Sequence, residues 1–137
     1  MTHSHPVRVY YEDTDMAGIV YYANYLKFIE RGRSEWVRGL GVDQAQMKAT
    51  GGGVFAVRRV VADYRAPAVY DDLLEVRTRY LSHSGARLIL HQAVLRGAKL
   101  LFEAEVTLVC ISDAGRPIPL PERLVAEIGK NPPQEAE

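Results

Sequence analysis

Along this chain the spacing of apolar residues changes period twice. Val7, Val9 and Tyr11 alternate with Arg8, Tyr10 and Glu12, the period of two that a half-buried strand imposes. From Tyr22 the period becomes helical, with Tyr22, Tyr25, Leu26, Ile29, Trp36, Val37 and Leu40 along one stripe. This helix is expected to start between Val20 and Asn24, with Asn24 as a candidate cap, and to stop at Gly39 or Gly41. Residues 42–50 read as a short further helix, and Gly51, Gly52 and Gly53 as a flexible connection. Alternation then returns in four expected strands, at residues 54–66, 72–83, 86–97 and 99–112. In the second, Leu74, Val76, Thr78 and Tyr80 oppose Glu75, Arg77 and Arg79; in the fourth, Phe102, Ala104, Val106, Leu108 and Cys110 oppose Glu103, Glu105 and Thr107. Ser84-Gly85 and Gly97-Ala98-Lys99 are tight connections, so consecutive strands are expected to pair antiparallel. Pro117, Pro119 and Pro121 stiffen the approach to a last helix from Glu122 to Ile128, and residues 1–5 and 131–137 read as flexible ends.

Composition narrows the class. At 137 residues the chain is one domain's worth, 1–137, able to bury about two thirds of its unfolded surface. Seventeen basic residues balance seventeen acidic ones, so nothing favours nucleic acid as a partner, whose phosphates call for excess positive charge. No apolar run approaches the roughly 20 residues that cross a bilayer. The single Cys110 has no internal disulfide partner, and the start MTHSHPVRVYY lacks a secretory pattern, so a cytoplasmic location is expected. Cys110 sits on the apolar side of its strand and reads as core. His91 stands opposite the Leu88, Leu90 and Val94 face, at the surface or an interface. His3 and His5 have no further ligand nearby, so no metal is expected.

The chemistry-bearing stretch is residues 8–30, where Asp13 and Asp15 stand between the first strand and the long helix. Asp13, Thr14, Asp15 and Gly18 are turn formers, and the plain reading is that both carboxylates only shape a turn or cap the helix. A helix start, however, presents unpaired N–H groups and partial positive charge that polarise an adjacent carbonyl. A carboxylate beside that carbonyl can attack the acyl carbon or deprotonate a water that does.

Tyr11, Asp13, Thr14, Asp15, Gly18, Val20, Tyr21, Asn24 and Tyr25, followed by Glu30 and Arg31, resemble the signature of the 4-hydroxybenzoyl-CoA thioesterase family, above all its Tol-Pal-associated acyl-CoA thioesterase branch. Phe55, Val57, Arg58, Arg59, Tyr64, Ala66, Pro67, Asp71, Asp72 and Leu74 resemble a second block of that branch. The resemblance runs roughly from Val7 to Ile128 and implies an α+β hotdog fold, a five-stranded antiparallel sheet wrapped around a long central helix. It implies hydrolysis of an acyl-CoA, or of an acyl carrier thioester, to free acid and thiol without a cofactor. By this resemblance Asp15 is the catalytic aspartate, as nucleophile or general base, and Tyr22 or its neighbours supply the backbone donor. Gly18 and Val20 would border the substrate, and Arg58, Arg59, His83 and Arg87 would lie near the phosphates of CoA. A homodimer or homotetramer is implied, since one helix cannot cover a long sheet, and envelope or lipid-synthesis proteins are conceivable partners. The branch usually carries His where this chain has Tyr22, whereas the hydroxybenzoyl enzyme carries Tyr there; acyl preference is therefore left open.

Two further enzyme readings fail on pattern. A haloacid-dehalogenase-type phosphatase also uses Asp-x-Asp after a strand, but needs alternating strands and helices, and residues 54–112 are consecutive strands. A hotdog dehydratase needs a His on the long helix, which has none. A non-catalytic acyl-CoA-binding or envelope-associated interaction protein is the alternative from another class; it would have no use for Asp15.

Overall fold

The structure, a computed structural model, describes residues 2–130. One antiparallel sheet runs in the order β1-β3-β4-β5-β2, built from β1 (Thr2–Arg8), β2 (Val54–Tyr64), β3 (Leu73–Ser84), β4 (Arg87–Arg96) and β5 (Lys99–Ile111). The hairpins joining β3 to β4 and β4 to β5 turn through Gly85 (φ 57°) and Gly97 (φ 60°), the left-handed geometry that two-residue loops require. The strand before this meander does not join its nearest neighbour in sequence: β2 pairs with β5 on the far edge. Residues 65–72 make that possible by passing under the ends of β5 and β4, with the Arg65 and Ala66 N–H groups on Leu101 O and Arg96 Nη1 on Pro67 O.

The alternation read from β3 and β5 holds, and the face carrying Val76, Leu90, Phe102, Val106 and Cys110 is fully buried. Helix α1 (Asn24–Gly39) lies across it, chiefly against β1, β3 and β4. Phe28 and Ile29 point straight into the core, each contributing about 1.5–3 kcal/mol by burial. Gly32 sets the spacing: a Cβ there would stand 2.4 Å from Val76 Cγ1, so only glycine lets the helix settle this close to β3. Beside it the buried Gln92 amide donates to Ile29 O (2.8 Å) and Thr78 Oγ1 (2.9 Å), while its Oε1 accepts from Arg33 Nη1 (2.9 Å). A fully paired polar group inside an apolar layer fixes one helix position on the sheet. Two shorter helices, α2 (Gln44–Ala49) and α3 (Glu122–Lys130), close the end near the α1 C-terminus.

Three expectations need correcting. The first strand lies earlier than its apolar alternation suggests: Thr2 to His5 are not a flexible lead but pair with β3 from Arg79 to Val76. An edge strand needs only one backbone partner, so polar residues and Pro6 are tolerated there. The run from Val9 to Glu12 leaves the sheet, and Tyr11–Asp13 form a 3-10 turn. The three glycines are likewise not a flexible connection: Gly53 (φ 84°) is buried, and a Cβ would meet Ile111 O at 2.4 Å. Residues 131–137, read as a flexible end, lie outside the described residues.

Candidate active site

The long helix starts on a small platform. Arg96 Nη1 donates to Asp72 Oδ2 (2.8 Å), which also accepts the Val69 N–H (2.9 Å). Burial alone would raise the Asp72 pKa, but the Val69 N–H and Arg96 outweigh it and hold the carboxyl below its ordinary range. Tyr25 reaches down from α1, its hydroxyl accepting the Ala68 N–H at 3.1 Å. Residues 68 and 69 are thus fixed from two sides.

A hairpin sits on this platform. Asp13 O accepts the Tyr21 N–H (2.9 Å), Thr14 bridges Val20, and the Asp15 N–H donates to Ile19 O (2.9 Å). The Val20 N–H donates down to Ala68 O (2.9 Å). Gly18 turns the tip with φ 81° and nothing near the place of a Cβ, which suits a turn that another molecule approaches. Val20, expected to border substrate, is instead 2% exposed and packs beneath the hairpin.

The two carboxylates have opposite fates. Asp13 is buried, and its Oδ2 accepts the Tyr10 N–H at 2.8 Å; it holds the turn. Asp15 is exposed, with Oδ1 on the Ala17 N–H at 2.9 Å and Oδ2 without a partner among the described residues. One oxygen is steadied and the other faces outward, as a nucleophile or base requires.

The helix start is uncapped. Ala23 occupies the N-cap and has no side chain to accept a hydrogen bond. Asn24, the expected cap, is the first helical residue and turns inward, its Nδ2 donating to Asp13 O at 3.0 Å. Among the described residues the Tyr22 and Ala23 N–H groups find no acceptor, so the positive end of α1 offers donors to an oxyanion. Asp13 O, which receives both the Tyr21 N–H and Asn24, ties the hairpin that carries Asp15 to the helix that carries the donors.

An aromatic wall flanks this opening. Tyr22, largely exposed, lies 5.0 Å from the Tyr21 ring and 6.2 Å from that of Tyr64. Tyr64 donates its hydroxyl to Tyr22 O (2.9 Å), and its ring meets Phe102 edge-on at 5.0 Å. Burial pushes the Tyr64 and Tyr25 hydroxyls above their usual pKa, keeping both neutral. Tyr64, which the sequence marked only as part of the second resembling block, thus joins the site from the end of β2, paired across the sheet with the buried Phe102.

The remaining expected contacts are elsewhere in the same chain. Arg58 and Arg59 are exposed midway along β2 at a bulge, about 20 Å along the strand from Tyr64. His83 and Arg87 are exposed around the β3–β4 hairpin, at the opposite end of the sheet, with His83 Nδ1 2.7 Å from the Tyr80 hydroxyl. A single chain does not bring these four to Asp15.

Residues 9–128 match the thioesterase-like superfamily. The chain is 43% identical over 124 residues to the acyl-CoA thioester hydrolase YbgC of Escherichia coli, covering 89% of this chain and 92% of that one. A probable thioesterase from Bartonella henselae superposes with a TM-score of 0.83 at 39% identity, over 88% of this chain and all of that one. At 21% identity an aspartate-to-asparagine mutant of 4-hydroxybenzoyl CoA thioesterase, complexed with 4-hydroxybenzoyl CoA, shares the fold with a TM-score of 0.84, over 92% of this chain and 97% of that one.

Proposed function

The chain belongs to the thioesterase-like superfamily, and from that premise we propose that it hydrolyses acyl-CoA thioesters to free acid and CoA with Asp15 as the acting carboxylate. The observation that carries this reading is the hairpin of residues 13–21, which sets an exposed carboxylate just ahead of an uncapped helix start. The thioester carbonyl oxygen would accept from the Tyr22 and Ala23 N–H groups, leaving the acyl carbon open to Asp15. Attack by the carboxylate gives an acyl-aspartyl anhydride and CoA thiolate; deprotonation of water gives the acid in one step. Hydroxylamine trapping during turnover separates the two, since only the anhydride yields a hydroxamate in excess of the uncatalysed reaction.

The reading extends to a homodimer joined through β2. This strand is an edge, with Val57, Val61 and Tyr64 about half exposed. Antiparallel pairing of two β2 edges about a two-fold axis would set the Arg58–Arg59 stretch, and the hairpin end with His83 and Arg87, of a second copy toward the first copy's Asp15. That arrangement gives the phosphates of CoA a basic surface which one chain lacks. Light scattering tests the dimer against a monomer or a tetramer. Among the described residues no helix is long and apolar enough to cross a membrane; a cytoplasmic site suits the CoA substrate and the free Cys110.

The deciding experiment is thiol release from a panel of short, long and aromatic acyl-CoA substrates by the wild type and Asp15→Asn. Turnover that depends on Asp15 supports the proposal. Near wild-type turnover in the variant would remove Asp15 from the mechanism, and no release from any substrate would favour a carrier-protein thioester or a non-catalytic binder.

A further inference from the structure

One carbonyl at the start of α1 is held from another element of the fold. The helix's own bonds begin at Ala23 O, which accepts the Leu26 N–H at 3.2 Å. Tyr22 O, one residue earlier, receives no backbone N–H among the described residues. It accepts instead from the Tyr64 hydroxyl, at 2.9 Å, from the end of β2. Tyr22 O belongs to the same planar peptide unit as the Ala23 N–H, and in a trans unit the two point opposite ways. Tyr64 therefore holds the back of a group whose front is open. On the function proposed above, on which this inference rests, that front meets the thioester oxygen. We propose that Tyr64 is a positioning residue for the hydrolysis: its hydroxyl aims and polarises the Tyr22–Ala23 peptide, making the Ala23 N–H a stronger donor to the oxyanion.

Two physical effects combine here. A carbonyl that accepts a hydrogen bond draws density from its amide nitrogen, so the N–H on the other side of the unit donates more strongly. The Tyr22–Ala23 unit also lies ahead of the helical bonds, and a donor fixed in advance needs no reorientation as charge develops. The phenol is itself fixed, its ring meeting those of Phe102, Tyr25 and Tyr22 edge-on at 5.0, 5.5 and 6.2 Å. Burial, and after it the Tyr22 and Tyr25 hydroxyls, hold Tyr64 above its ordinary pKa, so it keeps the proton that it donates. The charges flanking it on β2 are engaged with each other and with β5: Arg65 lies 3.8 Å from Asp63 and 3.2 Å from Glu103. Tyr64 is 48% exposed, so water can take its place on Tyr22 O without much loss of stability. Water restores the bond but not the aim.

The test compares wild type, Tyr64→Phe and proteins carrying mono-, di- and trifluorotyrosine at position 64. In Tyr64→Phe, kcat should fall about three- to tenfold, with KM for acyl-CoA within about twofold and the melting temperature unchanged. Fluorination makes the phenol a stronger donor and a stronger acid. Each fluorine should therefore raise kcat while the phenol is protonated and bring a new alkaline fall in kcat to lower pH. Infrared spectra of bound acetonyl-CoA and phenacyl-CoA, labelled with ¹³C at the carbonyl, give a readout without turnover, because a methylene between carbonyl and sulfur blocks hydrolysis. The carbonyl stretch should drop on binding to wild type and drop less on binding to Tyr64→Phe. A Tyr64→Phe protein with wild-type kcat, a loss confined to KM, an equal carbonyl shift in both proteins, or no trend with fluorination would each overturn the role of Tyr64 and leave the Asp15 chemistry standing. A wild type that shifts neither carbonyl and releases no thiol from any acyl-CoA would overturn both.

Discussion

The two ends of α1 are built to opposite rules. At the start, polar groups are left open: Ala23 cannot cap, the Tyr22 and Ala23 N–H groups have no acceptor among the described residues, and Asp15 is exposed. At the other end the chain closes. The Leu40 N–H bonds back to Trp36 O and Val37 O, the Gly41 N–H to Arg38 O with φ 83°, and Trp36, Val37 and Val42 are buried. That is ordinary helix termination. The start forgoes it, which costs stability and leaves a polarising end for a ligand. The contrast separates residues that hold the helix from those that use it.

The largest effect should come from the open end. Asp15→Asn keeps the Asx-type bond from the Ala17 N–H but loses the charge, so turnover should fall about 10³-fold. Thermal unfolding should stay unchanged, because the carboxylate is exposed. A fall in melting temperature together with activity would mean that Asp15 braces the hairpin as Asp13 does.

Next comes the middle of the helix, where packing rules alone. Gly32→Ala forces Val76, fully buried, or the helix itself to move, and should destabilise the fold by about 1–3 kcal/mol. Denaturant unfolding measures it. A stabilised variant would mean that the helix has slack above β3.

A third test addresses the platform under the open end. The Asp72 pKa is lowered in the fold, so its contribution is full above the unfolded value and is lost as pH falls through the folded one. Wild type should therefore exceed Asp72→Asn in stability near neutral pH, and the gap should close as pH drops below about 4. A gap that persists in strong acid would assign the effect to hydrogen bonding rather than charge.

What the sequence disclosed follows the same division. Period and turn chemistry located α1 within its stated limits and β3, β4 and β5 to within a residue or two, because each buries one face and ends in a glycine turn. They missed β1 from Thr2 to His5, whose pairing with β3 rests on backbone rather than apolar side chains. They also could not tell Asp13 from Asp15. Both are turn formers two residues apart, and only the fold buries one carboxylate on the Tyr10 N–H and exposes the other. The expected basic residues do not converge on Asp15 within one chain for a topological reason: β2 lies on the sheet edge with Arg58 and Arg59 exposed midway along it, and His83 and Arg87 lie at the far end of the sheet.

The smallest effect belongs to the closed end and should carry the opposite sign to Gly32→Ala. Gly39 is the last residue of the same helix, its φ is not left-handed, and nothing lies within 4 Å of where a Cβ would stand. Alanine there removes backbone freedom from the unfolded chain without meeting an obstacle in the folded one. Gly39→Ala should thus stabilise the protein by about 0.4–1 kcal/mol, read as a rise in the denaturant midpoint at unchanged slope. Two glycines in one helix would then differ in sign because only one of them faces the sheet. If both substitutions destabilise, the C-terminal turn of α1 depends on a backbone freedom that its closed hydrogen bonds do not reveal.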